Sequence, residues 1–206
     1  ATAYGVYAGG TINNLTNEGL ISVLANGTGG NATAYGVYAG GNFTGPFVNN
    51  GTIQVRATAT GNATGYGVYA GQDIAGNFTN RGNSITVDVT GANATAYGVY
   101  AGGTINNLTN EGLISVLANG TGGNATAYGV YAGGNFTGPF VNNGTIQVRA
   151  TATGNATGYG VYAGQDIAGN FTNRGNSITV DVTGANATAY GVYAGGTINN
   201  LTNEGL

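Results

Sequence analysis

The sequence predicts an all-β fold: a parallel β-solenoid, or β-helix, in which one repeat of 31 residues makes one coil around a common axis. Three observations lead there. Residues 1–93 recur letter for letter as 94–186, and 187–206 begin a third copy. Inside each unit the string Tyr-Gly-Val-Tyr-Ala starts at Tyr4, Tyr35 and Tyr66, then at Tyr97, Tyr128, Tyr159 and Tyr190, always 31 residues apart. Glycine supplies 42 of the 206 residues, a density at which no helical apolar stripe survives.

Each coil reads as about three strands separated by Gly- and Asn-rich turns. The first carries Tyr-Gly-Val-Tyr. Tyr4 and Tyr7 have opposite parity, so a straight strand points one inward and the other outward, and one tyrosine column runs down the outside. We assign that column to Tyr7, Tyr38, Tyr69, Tyr100, Tyr131, Tyr162 and Tyr193, a candidate surface for contact with other rods or glycans, or a self-stacked stiffener. Gly5 beside it leaves the backbone open to close approach.

The second segment carries an apolar pair, Ile12 with Leu15, Phe43 with Phe47, Ile74 with Phe78, and ends in Asn-x-Gly at Asn17, Asn49 and Asn80. Asn and Gly tolerate left-handed backbone, which marks a sharp corner. The corner asparagines Asn17, Asn49, Asn80, Asn110, Asn142, Asn173 and Asn203 would bond one another as an amide ladder, as stacked Asn does in cross-β assemblies. The third segment alternates most clearly: Ile21-Ser-Val23-Leu-Ala25, Ile53-Gln-Val55-Arg-Ala57 and Ile85-Thr-Val87-Asp-Val89. That is a half-buried strand with Ile, Val and Ala inward.

Stacked at about 4.8 Å per coil, the array forms a rod section of roughly 30 Å. Leu24, Arg56 and Asp88 share one outward column, and Glu18, Asn50 and Arg81 another, so Arg56 neighbours Asp88 and Arg81 neighbours Glu111. Like charges then stand about 14 Å apart, beyond a Debye length at physiological salt. The chain reads as one continuous array, with three-coil units 1–93 and 94–186 and a partial unit 187–206. Neither end differs from the interior, which reads as a window of a longer chain.

Composition excludes several functions. Charged residues are 5% of the chain, the net charge is -3, and the basic residues are Arg56, Arg81, Arg149 and Arg174 alone, so nucleic acid has nothing to grip. Without Cys, His or Lys, disulfides, zinc sites and nucleophile–base pairs are not expected. Gly71-Gln72-Asp73 does not match the calcium-binding Gly-Gly-x-Gly-x-Asp repeat. Tyr-Gly-Val-Tyr-Ala-Gly-Gly precedes no helix that could cradle phosphate. We therefore expect no catalysis and no cofactor. No apolar run approaches the roughly 18–20 residues that cross a bilayer. Ice binding by a Thr face is a weak reading, since Thr58-x-Thr60 occurs in only one coil of three.

Asn-x-Thr occurs 17 times among 29 asparagines, which raises N-glycosylation. Asn31, Asn62 and Asn93 recur on every coil, where sugars would crowd at about 4.8 Å, and read as a structural ladder. The candidate glycan sites are Asn42, Asn50 and Asn26 (the last in a Gly-rich turn) with their copies Asn135, Asn143 and Asn119, each once per three coils.

The pattern Ile-x-Asn-x-x-Leu-x-Asn-x-Gly-x-Ile-x-Val, from Ile12 through Val23 and joined to Tyr35-Gly-Val-Tyr-Ala-Gly40, resembles bacterial autotransporter passengers and filamentous-haemagglutinin-type adhesins. The resemblance covers the whole chain. It implies a right-handed β-helix at the cell surface, serving as stalk, adhesin or fibre. The sequence thus suggests an extracellular structural filament whose partners are copies of itself, end to end or side by side. The alternative is a cell-surface adhesin that binds polysaccharide through the tyrosine column.

Overall fold

A computed structural model describes all 206 residues. The chain is a parallel β-solenoid of about seven coils and contains no helix. Strands sort into three parallel sheets, one per segment of the repeat. The first sheet comprises Thr2–Ala8, Ala32–Ala39, Asn62–Ala70, Asn93–Ala101, Ala125–Ala132, Asn155–Ala163 and Asn186–Ala194. The second comprises Leu15–Asn17, Phe47–Asn49, Ile74–Asn80, Ile105–Asn110, Phe140–Asn142, Ile167–Asn173 and Ile198–Asn203. Leu20–Gly27, Thr52–Ala59, Ser84–Gly91, Leu113–Gly120, Thr145–Ala152 and Ser177–Thr183 form the third.

Like residue sits on like. Tyr35 pairs with Tyr66, Phe47 with Phe78, and Val55 with Val87. The period is nevertheless uniform only in the first sheet. Corner asparagines are separated by 32, 31 and 30 residues in turn. Along the third sheet Leu24 meets Arg56, Arg56 meets Asp88, and Asp88 meets Leu117. One extra residue enters the second segment of two coils, at Gly45-Pro46 and at Ala75-Gly76, and Asn83 adds another between the corner Asn80 and the third sheet; they leave in the turn before the next Tyr-Gly-Val-Tyr strand. Pro46 has no N–H to give a ladder, so the strand behind it shrinks to Phe47–Asn49, with Phe43 held by isolated bridges to Ile12 and Ile74.

The three sheets enclose one core of alanine, valine, isoleucine and phenylalanine. Phe47 and Phe78 stack with ring centroids 4.6 Å apart, and Phe43 meets Phe47 edge-on at 5.5 Å. The smaller Leu108 takes the Phe position in the next coil.

Two local expectations need correction. No residue, glycine included, has positive φ, so the corners are not built on left-handed backbone. Glycine is required there for proximity instead. A β-carbon on Gly51 or Gly82 would run into the main chain of the coil beneath, at Gly19 and Asn50 respectively. The strand through Tyr-Gly-Val-Tyr is also not straight. In Ala32–Ala39 both Gly36 and Val37 face inward, and the pairing register passes from Tyr35 to Val37 without Gly36. The alternation restarts there, so Tyr35 and Tyr38 both point outward. The inward slot at Gly36 has no room for a side chain: a β-carbon would stand 2.5 Å from Ile53 Cγ2 on the opposite sheet.

Candidate functional site

The corner asparagines form the one polar line inside the core. Asn49, Asn80, Asn110 and Asn142 are fully buried. Asn17 Nδ2 donates to Asn49 Oδ1 at 2.8 Å, Asn49 to Asn80 at 2.8 Å, and Asn80 to Asn110 at 2.8 Å. The chain continues through Asn110 to Asn142, Asn142 to Asn173 and Asn173 to Asn203. The second amide proton of Asn110 goes to the Thr145 carbonyl at 3.2 Å. Each interior carboxamide thus uses both protons and its oxygen, and no buried side-chain polar atom lacks a partner.

Two shallower columns do similar work. Asn31 Oδ1 accepts the Asn62 backbone N–H at 2.9 Å, and Asn93 Nδ2 donates to Asn62 Oδ1 at 3.0 Å. At the other edge of the first sheet, Asn42 Oδ1 accepts the Asp73 N–H at 2.8 Å and Asp73 Oδ1 accepts the Thr104 N–H at 2.7 Å. Asp73 is therefore occupied with backbone one coil away. The four arginines pair along the outside, as in Arg56 with Asp88 at 3.5 Å and Arg81 with Glu111 at 3.2 Å. No group of three or more carboxylates converges as a metal site would need.

The outer face of the first sheet is the most distinctive surface. Because of the reset at Gly36, it carries two tyrosine columns rather than one. Tyr7, Tyr38, Tyr69, Tyr100, Tyr131, Tyr162 and Tyr193 form one, and Tyr4, Tyr35, Tyr66, Tyr97, Tyr128, Tyr159 and Tyr190 the other. Successive rings are parallel, as for Tyr69 and Tyr100, 4.9 Å apart at 1°. Between columns they meet edge-on, as for Tyr66 and Tyr69, 5.0 Å apart at 79°. These values describe a herringbone with rings inclined roughly 40° in opposite senses, leaving a gap of about 3.8 Å between faces, near the optimum for carbon contact. Reading residue parity alone misses the second column; the signal was the repeated Gly between the two tyrosines.

Packing perturbs the phenols. Burial first, then the neighbouring tyrosines Tyr4 and Tyr69, push Tyr35 up to about 12. Tyr66, Tyr97 and Tyr128 are pushed up by the same causes in the same order. These four phenols therefore stay neutral across the physiological range.

The Asn-x-Thr candidates differ in placement. Asn50 and Asn143 are exposed at the corner, with no side-chain hydrogen bond. Asn42 and Asn135 are half-buried, their amide oxygens held by the N–H of Asp73 and Asp166. Asn26 and Asn119 do not lie in a turn. They are outward residues near the ends of Leu20–Gly27 and Leu113–Gly120, because the alternation continues one step to an inward glycine.

A cleft of about 240 Å³ is lined by Phe171, Ile178, Val192, Leu201 and Leu206 among others. Four of these are core positions: the matching Phe78, Ile85, Val99 and Leu108 are buried. It is the upper surface of the core. Comparison with protein-family models, curated proteins and solved structures gives no match to this chain.

Proposed function

We propose that the chain is the repeating portion of an extracellular structural filament or stalk, without catalytic or cofactor chemistry of its own. One observation carries this reading: the corner-asparagine ladder and the tyrosine columns of the first sheet continue unbroken from coil to coil. Chemistry repeated evenly along an axis suits length and stiffness rather than a singular reaction. The scarcity of charge and lack of lysine suit an exposed setting, and the motif resemblance to autotransporter passengers and filamentous-haemagglutinin-type adhesins points to a bacterial cell surface. Micrographs of chains carrying two, three and four 93-residue units test the reading. Rods should lengthen by about 14 Å per unit; particles whose length does not follow the unit count would refute it.

N-glycosylation belongs to the same proposal, with Asn50 and Asn143 the most accessible acceptors, then Asn26 and Asn119, then Asn42 and Asn135. Peptide masses from native material decide it, since unmodified masses at all six remove the sugars from the picture. The tyrosine face favours a second reading, an adhesin for polysaccharide. Saturable binding on a glycan array, lost on Tyr38→Ala with its column equivalents, would select it.

A further inference from the structure

We propose that two of these rods pair side by side through the tyrosine face of the first sheet, the partner being a second copy of this chain; the inference rests on the filament reading and deepens it.

The face is uncharged. No strand of the first sheet contains Asp, Glu, Lys or Arg; Asp73 and Asp166, just past its edge, are held by the backbone N–H groups of Thr104 and Thr197, and Arg56, Asp88, Arg81 and Glu111 lie elsewhere. Two molecules of net charge -3 can therefore approach here without setting like charges against each other. The period also matches. A second copy presents rings at the same 4.9 Å interval, so each added coil repeats the same contact, as in the dry interfaces between paired β-sheets.

What the face offers also selects the partner. Ring faces within each column are covered by the rings above and below, at 0–3° between planes in the interior coils. Outward they present edges and phenol hydroxyls, none of which bonds within the chain. A pyranose stacks on an open aromatic face, whereas another herringbone supplies edges and hydroxyls that interleave with these. Area sets the strength. From the Thr33 column to the Tyr38 column the face is about 17 Å wide, and over six coil steps about 30 Å long. Pairing covers about 500 Å² per rod, or about 1,000 Å² in total, the lower bound for a specific interface. Each further coil adds about 80 Å² per rod, so association must strengthen with length.

Sedimentation equilibrium on this chain and on a version carrying one more 93-residue unit tests the idea. The association constant should rise at least tenfold with the added unit. End-to-end contact, by contrast, has the same area at any length. Lysine at Tyr38, Tyr100 and Tyr162 should leave monomers, and lysine at Gln54, Ser115 and Thr179 on the third sheet of the same coils should not. Threonine at the three tyrosines, with the β-sheet circular dichroism retained, guards against a folding defect and should also abolish pairing. Association that ignores length, or is lost equally from both lysine variants, overturns the proposal. So does an unpaired chain that binds a β-linked glycan through the tyrosines. Single rods of the right length that never pair would sink this inference and leave the filament reading standing; particles that are not rods would sink the filament reading itself.

Discussion

At the scale of single residues, the structure is held by groups whose neighbours cannot adjust. Asn110 receives an amide proton from Asn80 and gives one to Asn142. Asn110→Ala strands a buried donor on one side and a buried acceptor on the other. At about 1–3 kcal/mol per orphaned group, the loss should be about 2–6 kcal/mol, measured by denaturant unfolding. Asn50→Ala, at the exposed neighbouring corner, should change stability by less than about 0.5 kcal/mol. Glycine behaves in the same two-sided way. A β-carbon at Gly36 would stand 2.5 Å from both the Gly67 carbonyl oxygen and Ile53 Cγ2, whereas one at Gly30 meets nothing within 4 Å. Gly36→Ala should cost about 1–3 kcal/mol and Gly30→Ala almost nothing. Equal effects at the two sites would show that the close approach at Gly36 is not what fixes glycine there.

At the scale of the element, the tyrosine sheet links packing to pH. A free phenol titrates near 10, and in the folded chain Tyr35 is pushed up to about 12, with Tyr66, Tyr97 and Tyr128 also raised. The folded state then holds these protons more tightly than the unfolded state. The array's contribution is fully present below about pH 10 and is lost as pH rises through about 12. Unfolding midpoints should be flat from pH 7 to 9 and fall steadily above 10, with a shallower fall after Tyr→Phe at Tyr35, Tyr66, Tyr97 and Tyr128. A midpoint unchanged to pH 12 would contradict the burial of those rings. The ion pairs matter less. Arg56 is 65% exposed in its pair with Asp88, so Arg56→Ala should cost no more than about 1 kcal/mol.

The same sheet shows what a sequence can and cannot reveal. Ile53-Gln-Val55-Arg-Ala57 announces its inward face because its alternation is unbroken, and Asn17, Asn49 and Asn80 announce a corner because they recur before glycine. The second outward tyrosine column was hidden, since period-2 logic assumes that no two neighbours share a face, and Gly36 with Val37 breaks that assumption. Corner glycines were legible as corners, but their cause was not. Proximity to the next coil depends on a neighbour 30 or more residues away, which local backbone preference does not encode. The uneven spacing of the second and third sheets was similarly masked by compensation within each turn.

At the scale of the whole molecule, each coil touches only the coils before and after it, so stability should behave as a sum of coil and interface terms. Adding one 93-residue unit should raise the denaturation midpoint, and further units progressively less. A midpoint independent of unit number would mean that the coils do not act as coupled neighbours. The ladder bonds between coils run along the axis, so tension applied at the two ends falls on one coil boundary at a time. Under an optical trap such a molecule should peel rather than snap, giving a staircase of near-equal force drops. Every release frees one turn of about 31 residues and pays out about 100 Å of slack, which makes the rod a shock absorber with as many stages as it has turns.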